Sequence, residues 1–427
     1  MPSRIGTGDA LVVLGCLCFL ATVVLGATLS PVGTTGASSA DGTRDTLLGV
    51  QGVGSYHEGG SVRLLNGHEE RWRESSAPVY FDVTRLDNGS VLAGYMADGY
   101  EDCGPYPATC HRTGFRIIDP QPSPEVVYEW SFPVRTRVAS EVHDVEPLPD
   151  GGFVLADMEH ERVVIVENGD IAWQWNASTR YDAPADPTKV DWLHINDVDR
   201  IGTGRFLVSV RNANQLLVLE RGAGVVEVIN ADRDDATDDD GRVGDPSVLY
   251  HQHNPQWLGD GAVLVADSEN HRVVELHRTE NGTWDPAWVL RGAGGQKFDW
   301  PRDADRLPNG NTLITDTRNA RLVEVNESGR VVWEYQLDYR ALPYEADRLP
   351  TGEPVGAPTY GDADTTDVET GSRVPVLTPL LRLVSAAVRL PRWVAEIHLL
   401  TTFLSVTLVG AGAVVRWRDS ADDGATE

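Results

Sequence analysis

The sequence predicts an all-β fold, a six-bladed β-propeller whose closing blade is shared between the two ends of the chain, flanked by two transmembrane helices. Three observations predict it. A short polar-to-apolar segment recurs along the chain, an Asp is followed five residues later by an Arg in three copies, and two uncharged apolar stretches stand outside the repeats. The segment begins at Phe81-Asp82, His143-Asp144, Asn196-Asp197, His253-Asn254, Arg302-Asp303 and Glu345-Ala346, and each copy runs on to a Gly turn. Self-similar units repeating every 43 to 62 residues are the signature of propeller blades.

Each copy orders its elements alike. A first strand leads through the turn into an apolar strand ending in Asp, then a loop, then Arg and a third strand. The Asp–Arg pairs are Asp157 and Arg162, Asp267 and Arg272, and Asp316 and Arg321, with Val210 and Gln215 in those places in one copy. A fourth strand follows at Gly169–Trp175 and Gly329–Tyr335. The copy starting at Glu345 supplies only inner strands. The segment from Ser61 to Trp72 resembles the outer strands of the other copies, so the two ends together build the sixth blade and remove two open sheet edges.

The apolar stretches bracket this domain. Residues 1–9 read as a cytoplasmic tail, 10–29 as a transmembrane helix, 30–55 as a linker and 56–362 as the propeller. Residues 363–378 form a second linker, 379–392 an amphipathic helix in the membrane interface, 397–415 a second transmembrane helix and 416–427 a cytoplasmic tail. The length of Ala10–Leu29 and its lack of a small-x-small cleavage site favour a retained anchor over a cleaved signal peptide. Arg4 and Arg416 beyond the outer ends of the spans place both termini in the cytoplasm and the propeller outside the cell membrane. The sequons at Asn88, Asn176, Asn281 and Asn326 lie between the spans, as that topology requires.

The charge balance excludes one class of partner. The net charge is −28, and Lys189 and Lys297 are the only lysines. This acidic, lysine-poor composition suits a halophilic protein, and no basic face is available for nucleic acid. Cys16 and Cys18 lie in the first span, while Cys103 and Cys110 bracket a Gly/Pro-rich loop and are expected to form a disulfide. Asp238-Asp239-Asp240-Gly241 loosely matches a calcium loop but lacks its first and twelfth ligands, so it reads as a solvated acidic loop.

Function is sought in the variable column of the repeat. Phe81, His143, Asn196, His253, Arg302 and Glu345 should line one mouth of the central channel, with Asp144, Asp197 and Asp303 binding neighbouring turns. His194 and His251 stand two residues before Asn196 and His253, so they should extend the same polar ring. The ring has no obvious carboxylate or cysteine partners for a metal, and none is expected there.

Asp191-Trp192-Leu193-His194-Ile195-Asn196 followed by Ser209-Val210-Arg211 resembles the motif of the arylsulfotransferases, phosphoadenosine-independent enzymes on six-bladed propellers. His143-Asp144 resembles their first active-site histidine, and His251-Gln252-His253-Asn254 the segment carrying their nucleophile. The resemblance covers roughly residues 78–340; the β-sandwich domain of the soluble bacterial members has no counterpart here. Asn270-His271-Arg272-Val273 also resembles the NHL-type propeller repeat.

The resemblance implies that a histidine attacks the sulfur of an aryl sulfate, forms a sulfohistidine and passes the group to a phenol, with no cofactor. His253 or His251 is then the nucleophile. His143, His194, Asn196 and Arg211 complete the catalytic set, and Arg302 and Asn254 bind substrate. The rival reading is a non-enzymatic, membrane-anchored NHL-like propeller that binds a ligand or protein at the cell surface.

Overall fold

A computed structural model describes residues 6–29, 44–52, 59–231, 243–338, 341–360 and 396–423. Six four-stranded antiparallel sheets make the blades. Blade 1 comprises Val79–Arg85, Val91–Tyr100, Cys110–Asp119 and Glu125–Val134. Blade 2 comprises Val145–Pro147, Phe153–Asp157, Arg162–Glu167 and Asp170–Asn176. Blade 3 runs through Ile195–Gly202, Arg205–Val210, Gln215–Glu220 and Gly224–Ile229. Blade 4 holds His253–Gly259, Ala262–Asp267, Arg272–Arg278 and Trp284–Leu290, and blade 5 holds Asp303–Arg306, Thr312–Asp316, Arg321–Val325 and Val331–Gln336.

The sixth blade is shared between the chain ends, but differently from the expectation. Pro343–Arg348 is its innermost strand, and Asp45–Val50, Ser61–Asn66 and Glu69–Glu74 supply the other three. The propeller therefore starts at residue 45, inside the stretch read as a linker, and not at 56. The chain after Arg348 cannot give a second strand: residues 349–360 carry Pro350, Pro354 and Pro358, which lack the N–H a ladder needs. Asp45–Val50 takes that place, pairing Leu47 with Asp347 and Leu48 with Ala346. Closure is tight at Gly49, where a Cβ would lie 1.8 Å from the Phe81 carbonyl oxygen of blade 1.

Apolar side chains on both faces of the sheets bury themselves between blades. Val154, Ile165, Val198, Phe206 and Leu217 join blades 2 and 3, and Leu48, Leu65, Leu313 and Leu322 join blades 5 and 6. The five-residue interval becomes an ion pair across the turn between second and third strands. Arg162 to Asp157 measures 2.6 Å, Arg272 to Asp267 2.7 Å and Arg321 to Asp316 2.8 Å. In blade 3 Gln215 accepts a hydrogen bond from the Tyr181 hydroxyl at 2.8 Å instead. Cys103 and Cys110 are joined by a disulfide.

The ends of the chain form a separate unit. Helix α1 (Thr7–Leu29) and helix α2 (Glu396–Asp423) pack antiparallel along small residues seven apart: Gly8, Gly15 and Thr22 on one, Ser405 and Gly412 on the other. The Ser405 hydroxyl donates to the Gly15 carbonyl at 2.8 Å, Thr22 donates to Thr401 at 2.9 Å, and Arg416 pairs with Asp9. Small residues and hydroxyl bonds of this kind hold helices together where lipid surrounds them. Among the described residues one helix, His398–Arg418, is long and apolar enough to cross a membrane; the apolar stretch in α1 is the shorter Thr7–Thr22. The structure thus supports one such helix where the sequence reading expects two. The interfacial helix expected at 379–392 and the acidic loop at 238–241 lie outside the described residues.

The buried ion pairs make a graded stability test. Arg321 and Asp316 are 1% and 0% exposed, whereas Arg73 and Glu70 are 45% and 30% exposed. Arg321→Ala strands a buried carboxylate and is expected to cost roughly 3–5 kcal/mol in urea unfolding. Arg73→Ala should change stability by less than about 1 kcal/mol.

Candidate active site

In three blades the Asp following the column residue ties its blade to the next. Asp82 Oδ2 accepts the Val145 N–H at 3.2 Å, Asp144 Oδ2 that of Val198 at 2.5 Å, and Asp303 Oδ2 that of Ala346 at 2.9 Å. This equivalence corrects the sixth copy. Ala346 corresponds to Val145 and Val198, so Tyr344, not Glu345, holds the column position, and Glu345 stands in line with the aspartates. The matching tetrapeptides Ala304-Asp305-Arg306-Leu307 and Ala346-Asp347-Arg348-Leu349 carried that signal.

Around the axis the column side chains meet as rings. His143 lies 4.6 Å from Phe81, 5.1 Å from Tyr344 and 5.6 Å from His194 between ring centroids. His253 lies 6.2 Å from Tyr344 and 6.0 Å from Trp300. The Arg302 guanidinium sits 4.0 Å from the Trp300 ring and 4.8 Å from that of Tyr344, and donates to Gln51 Oε1. Arg318 covers Trp300 as well, at 4.0 Å.

His194, His251 and Trp300 occupy one position in three successive blades, and all three are left-handed, with φ of 56°, 50° and 60°. Strand alternation therefore does not place them; a recurring kink does. Such conformations cost roughly 1–3 kcal/mol each for non-glycine residues, and each is held by the preceding blade. Glu161 Oε1 accepts the His194 N–H at 2.7 Å, Asn214 Oδ1 that of His251 at 3.1 Å, and His271 Nδ1 that of Trp300 at 3.1 Å.

The electrostatics separate the two candidate nucleophiles. The Ser268 hydroxyl donates to the Pro301 carbonyl at 2.7 Å, so its oxygen accepts from His253 Nδ1 at 2.8 Å. That fixes the His253 proton on Nδ1 and leaves a lone pair on Nε2. Burial, then the charges of Arg302 and Arg211 and the neighbouring His143 and His194, hold His253 far below the ordinary histidine range, so it is neutral. His251 is half-buried, with its ring tilted against that of Tyr250 at 4.6 Å; its pKa is lowered by burial and by Arg211.

His194 donates from Nδ1 to Asp191 Oδ1 at 2.6 Å, which leaves its Nε2 as a base. Burial pushes His194 down, and Arg211 adds to this against the pull of Asp191. Burial also pushes Asp191 up, but the His194 hydrogen bond and the His194 and Arg211 charges outweigh it and keep Asp191 ionised. Burial brings Arg302 down to about 10, and it raises Glu141, whose carboxyl feels Arg302, to about 7.

The remaining candidates divide. Arg211 sits within the field of His194, His251 and His253 and bonds Asn212 Oδ1 at 2.7 Å. Asn196 is fully buried and ties blade 3 to blade 4, its Nδ2 donating to the Gln252 carbonyl at 2.9 Å. Asn254, expected to bind substrate, instead donates to Glu345 Oε2 at 3.0 Å, because φ is 34° there and a bulge turns the side chain into the carboxylate layer. The sequence reading missed Ser268, Trp300, Tyr344 and Gln51. Only Trp300 and Tyr344 had a signal, their alignment with His194 and His143.

Among solved structures the fold is similar to a protein of unknown function from Bacteroides caccae, at 14% identity and a TM-score of 0.50 over 72% of this chain and 98% of that one. A putative 6-phosphogluconolactonase from Bacteroides uniformis matches at 13% identity and TM-score 0.43, covering 72% of this chain and 100% of its own. Virginiamycin B lyase from Staphylococcus aureus matches at 11% identity and TM-score 0.37, covering 62% and 73%. At such identity the first likeness shows the propeller fold alone. No protein-family model and no curated protein matches the chain, so membership of the arylsulfotransferase family is not shown.

The serine contact has a direct readout. Nitrogen-15 NMR of the imidazoles is expected to show His253 protonated on Nδ1 and bare on Nε2. Ser268→Ala should abolish that preference and leave the His194 signals in place. A wild-type His253 protonated on Nε2 would contradict the assignment.

Proposed function

We propose that the mouth of the propeller transfers a sulfuryl group from an aryl sulfate to a phenol through a sulfohistidine on His253. The observation that carries the reading is a buried, neutral histidine whose Nδ1 is tied to Ser268, standing beside two arginines. Its Nε2 attacks sulfur, the bond from sulfur to the aryl oxygen breaks, and the phenolate leaves. The negative charge on the sulfuryl oxygens falls beside Arg302 and Arg211, where fixed cations stabilise it most in a dry site. On a chain of net charge −28, this local basic pocket also draws the anion in.

In the second half the acceptor phenol gives its proton to His194 Nε2, held in place by Asp191. Its oxygen attacks sulfur, and the sulfur–nitrogen bond breaks to restore neutral His253. The first phenolate takes its proton from solvent, and His194 returns the acceptor's proton to solvent, so the exchange is balanced. Phe81, Trp300 and Tyr344 surround the histidines with aromatic rings. His143 packs among these rings and keeps their spacing.

The propeller is further proposed to stand outside the cell membrane, anchored by the α1–α2 pair with both termini in the cytoplasm. The sequence charges and the small-residue helix seam support that reading.

The test uses p-nitrophenyl sulfate with a phenol acceptor in high salt, following nitrophenolate release. His253→Ala should fall to background and His251→Ala should retain most of the rate. Arg302→Ala should lose roughly 10²–10³-fold, the effect of removing one transition-state charge partner. No transfer by wild type, or full transfer by His253→Ala, would remove the mechanism.

A further inference from the structure

Beneath the histidine layer the propeller axis becomes anionic. Asp82, Asp144, Asp197, Asp303 and Glu345 stand in the ring next to the column, with Asn254 in the sixth place. Two residues further along each inner strand comes a second layer containing Glu146, Asp199, Asp305 and Asp347. Packing between blades explains one oxygen of several aspartates, which accepts the N–H of the next blade. It does not explain the others.

Two sets bring carboxylate oxygens within 4.8 Å of one another: Asp82, Asp144 and Glu146, and Asp144, Asp197 and Asp199. Asp144 belongs to both. In the second set Asp197 Oδ1 and Asp199 Oδ2, on residues only 4% and 9% exposed, are buried and have no hydrogen-bond partner among the described residues. The neutral Asn254 repeats the pattern: its Nδ2 bonds Glu345 in the ring while its buried Oδ1 has no donor. Three buried acceptors without donors among the described residues, close to the axis, call for a cation.

We propose that Asp144, Asp197 and Asp199 bind a hard divalent cation of calcium size on the propeller axis. Oxygen-only donors select such an ion over zinc or copper. Oxygens spread over up to 4.8 Å fit within the span of opposed calcium ligands, about 5 Å for bonds near 2.5 Å. A cavity of about 260 Å³, lined by Glu146, Asp199, Gln256 and Glu353 together with Arg200, adjoins the site at Asp199. The ion neutralises carboxylates from neighbouring blades and so fastens inner strands that otherwise repel one another. This site stands independently of the sulfuryl-transfer reading, because none of its oxygens belongs to the basic mouth.

The test uses the full chain, stripped with chelator in high potassium chloride and retitrated with calcium chloride. Elemental analysis should find calcium retained after gel filtration, and calcium should raise Tm in a concentration-dependent way, more than equal magnesium does. Asp197→Asn with Asp199→Asn keeps the side-chain shapes but removes two charges. This variant should be at least as stable as the stripped wild type, bind calcium at least tenfold more weakly and show little Tm response. Asp305→Asn, outside the cluster, should keep the wild-type response. Absence of calcium binding by wild type, or unchanged binding by the double variant, overturns the proposal.

Discussion

One carboxylate-to-amide hydrogen bond, repeated around the axis, organises this molecule. The aspartate on an inner strand accepts the N–H of the next blade, from Asp82 to Val145, Asp144 to Val198 and Asp303 to Ala346. Each bond fixes the angle between neighbouring blades and sets the register of their column residues. It also forces acidic side chains onto the axis, where burial raises their pKa and their neighbours' charges add to it. The scaffold therefore creates an electrostatic problem in making a ring.

The layer above answers with the opposite sign. Arg211 acts on His253, His194 and His251, and Arg302 on the first two, and they help keep these histidines neutral. A neutral imidazole with its proton tied to Ser268 is a nucleophile, and a protonated one is not. The same arginines suit an anionic group, so in the proposed reaction one pair of charges would both ready the nucleophile and receive the substrate. Left-handed turns at His194, His251 and Trp300, each held by the preceding blade, keep this layer from relaxing.

Much of this was legible because periodic features survive divergence between copies. The Asp-to-Arg interval marked the repeat, though not the ion pairs of 2.6 to 2.8 Å that it forms, and the changing first residue announced the ring. The closing blade was harder. Asp45–Val50 has no column motif of its own, and its pairing with Pro343–Arg348 spans nearly the whole propeller sequence. The choice between His251 and His253 was invisible because it rests on Ser268, in the turn after a different strand. The aspartates were read singly as caps for turns; their convergence is a property of the closed ring, which no single copy displays.

The central claim is that the column assembles a nucleophilic His253 within a basic mouth. It is tested most directly by trapping: the protein is mixed with aryl sulfate without acceptor, quenched at alkaline pH, digested and analysed by mass spectrometry. The account predicts one sulfuryl adduct, on the peptide containing Gln252-His253-Asn254 and fragmenting to His253, discharged when a phenol is added. An adduct on His251 or His194, or sulfuryl transfer that proceeds with no adduct on any histidine, would contradict it.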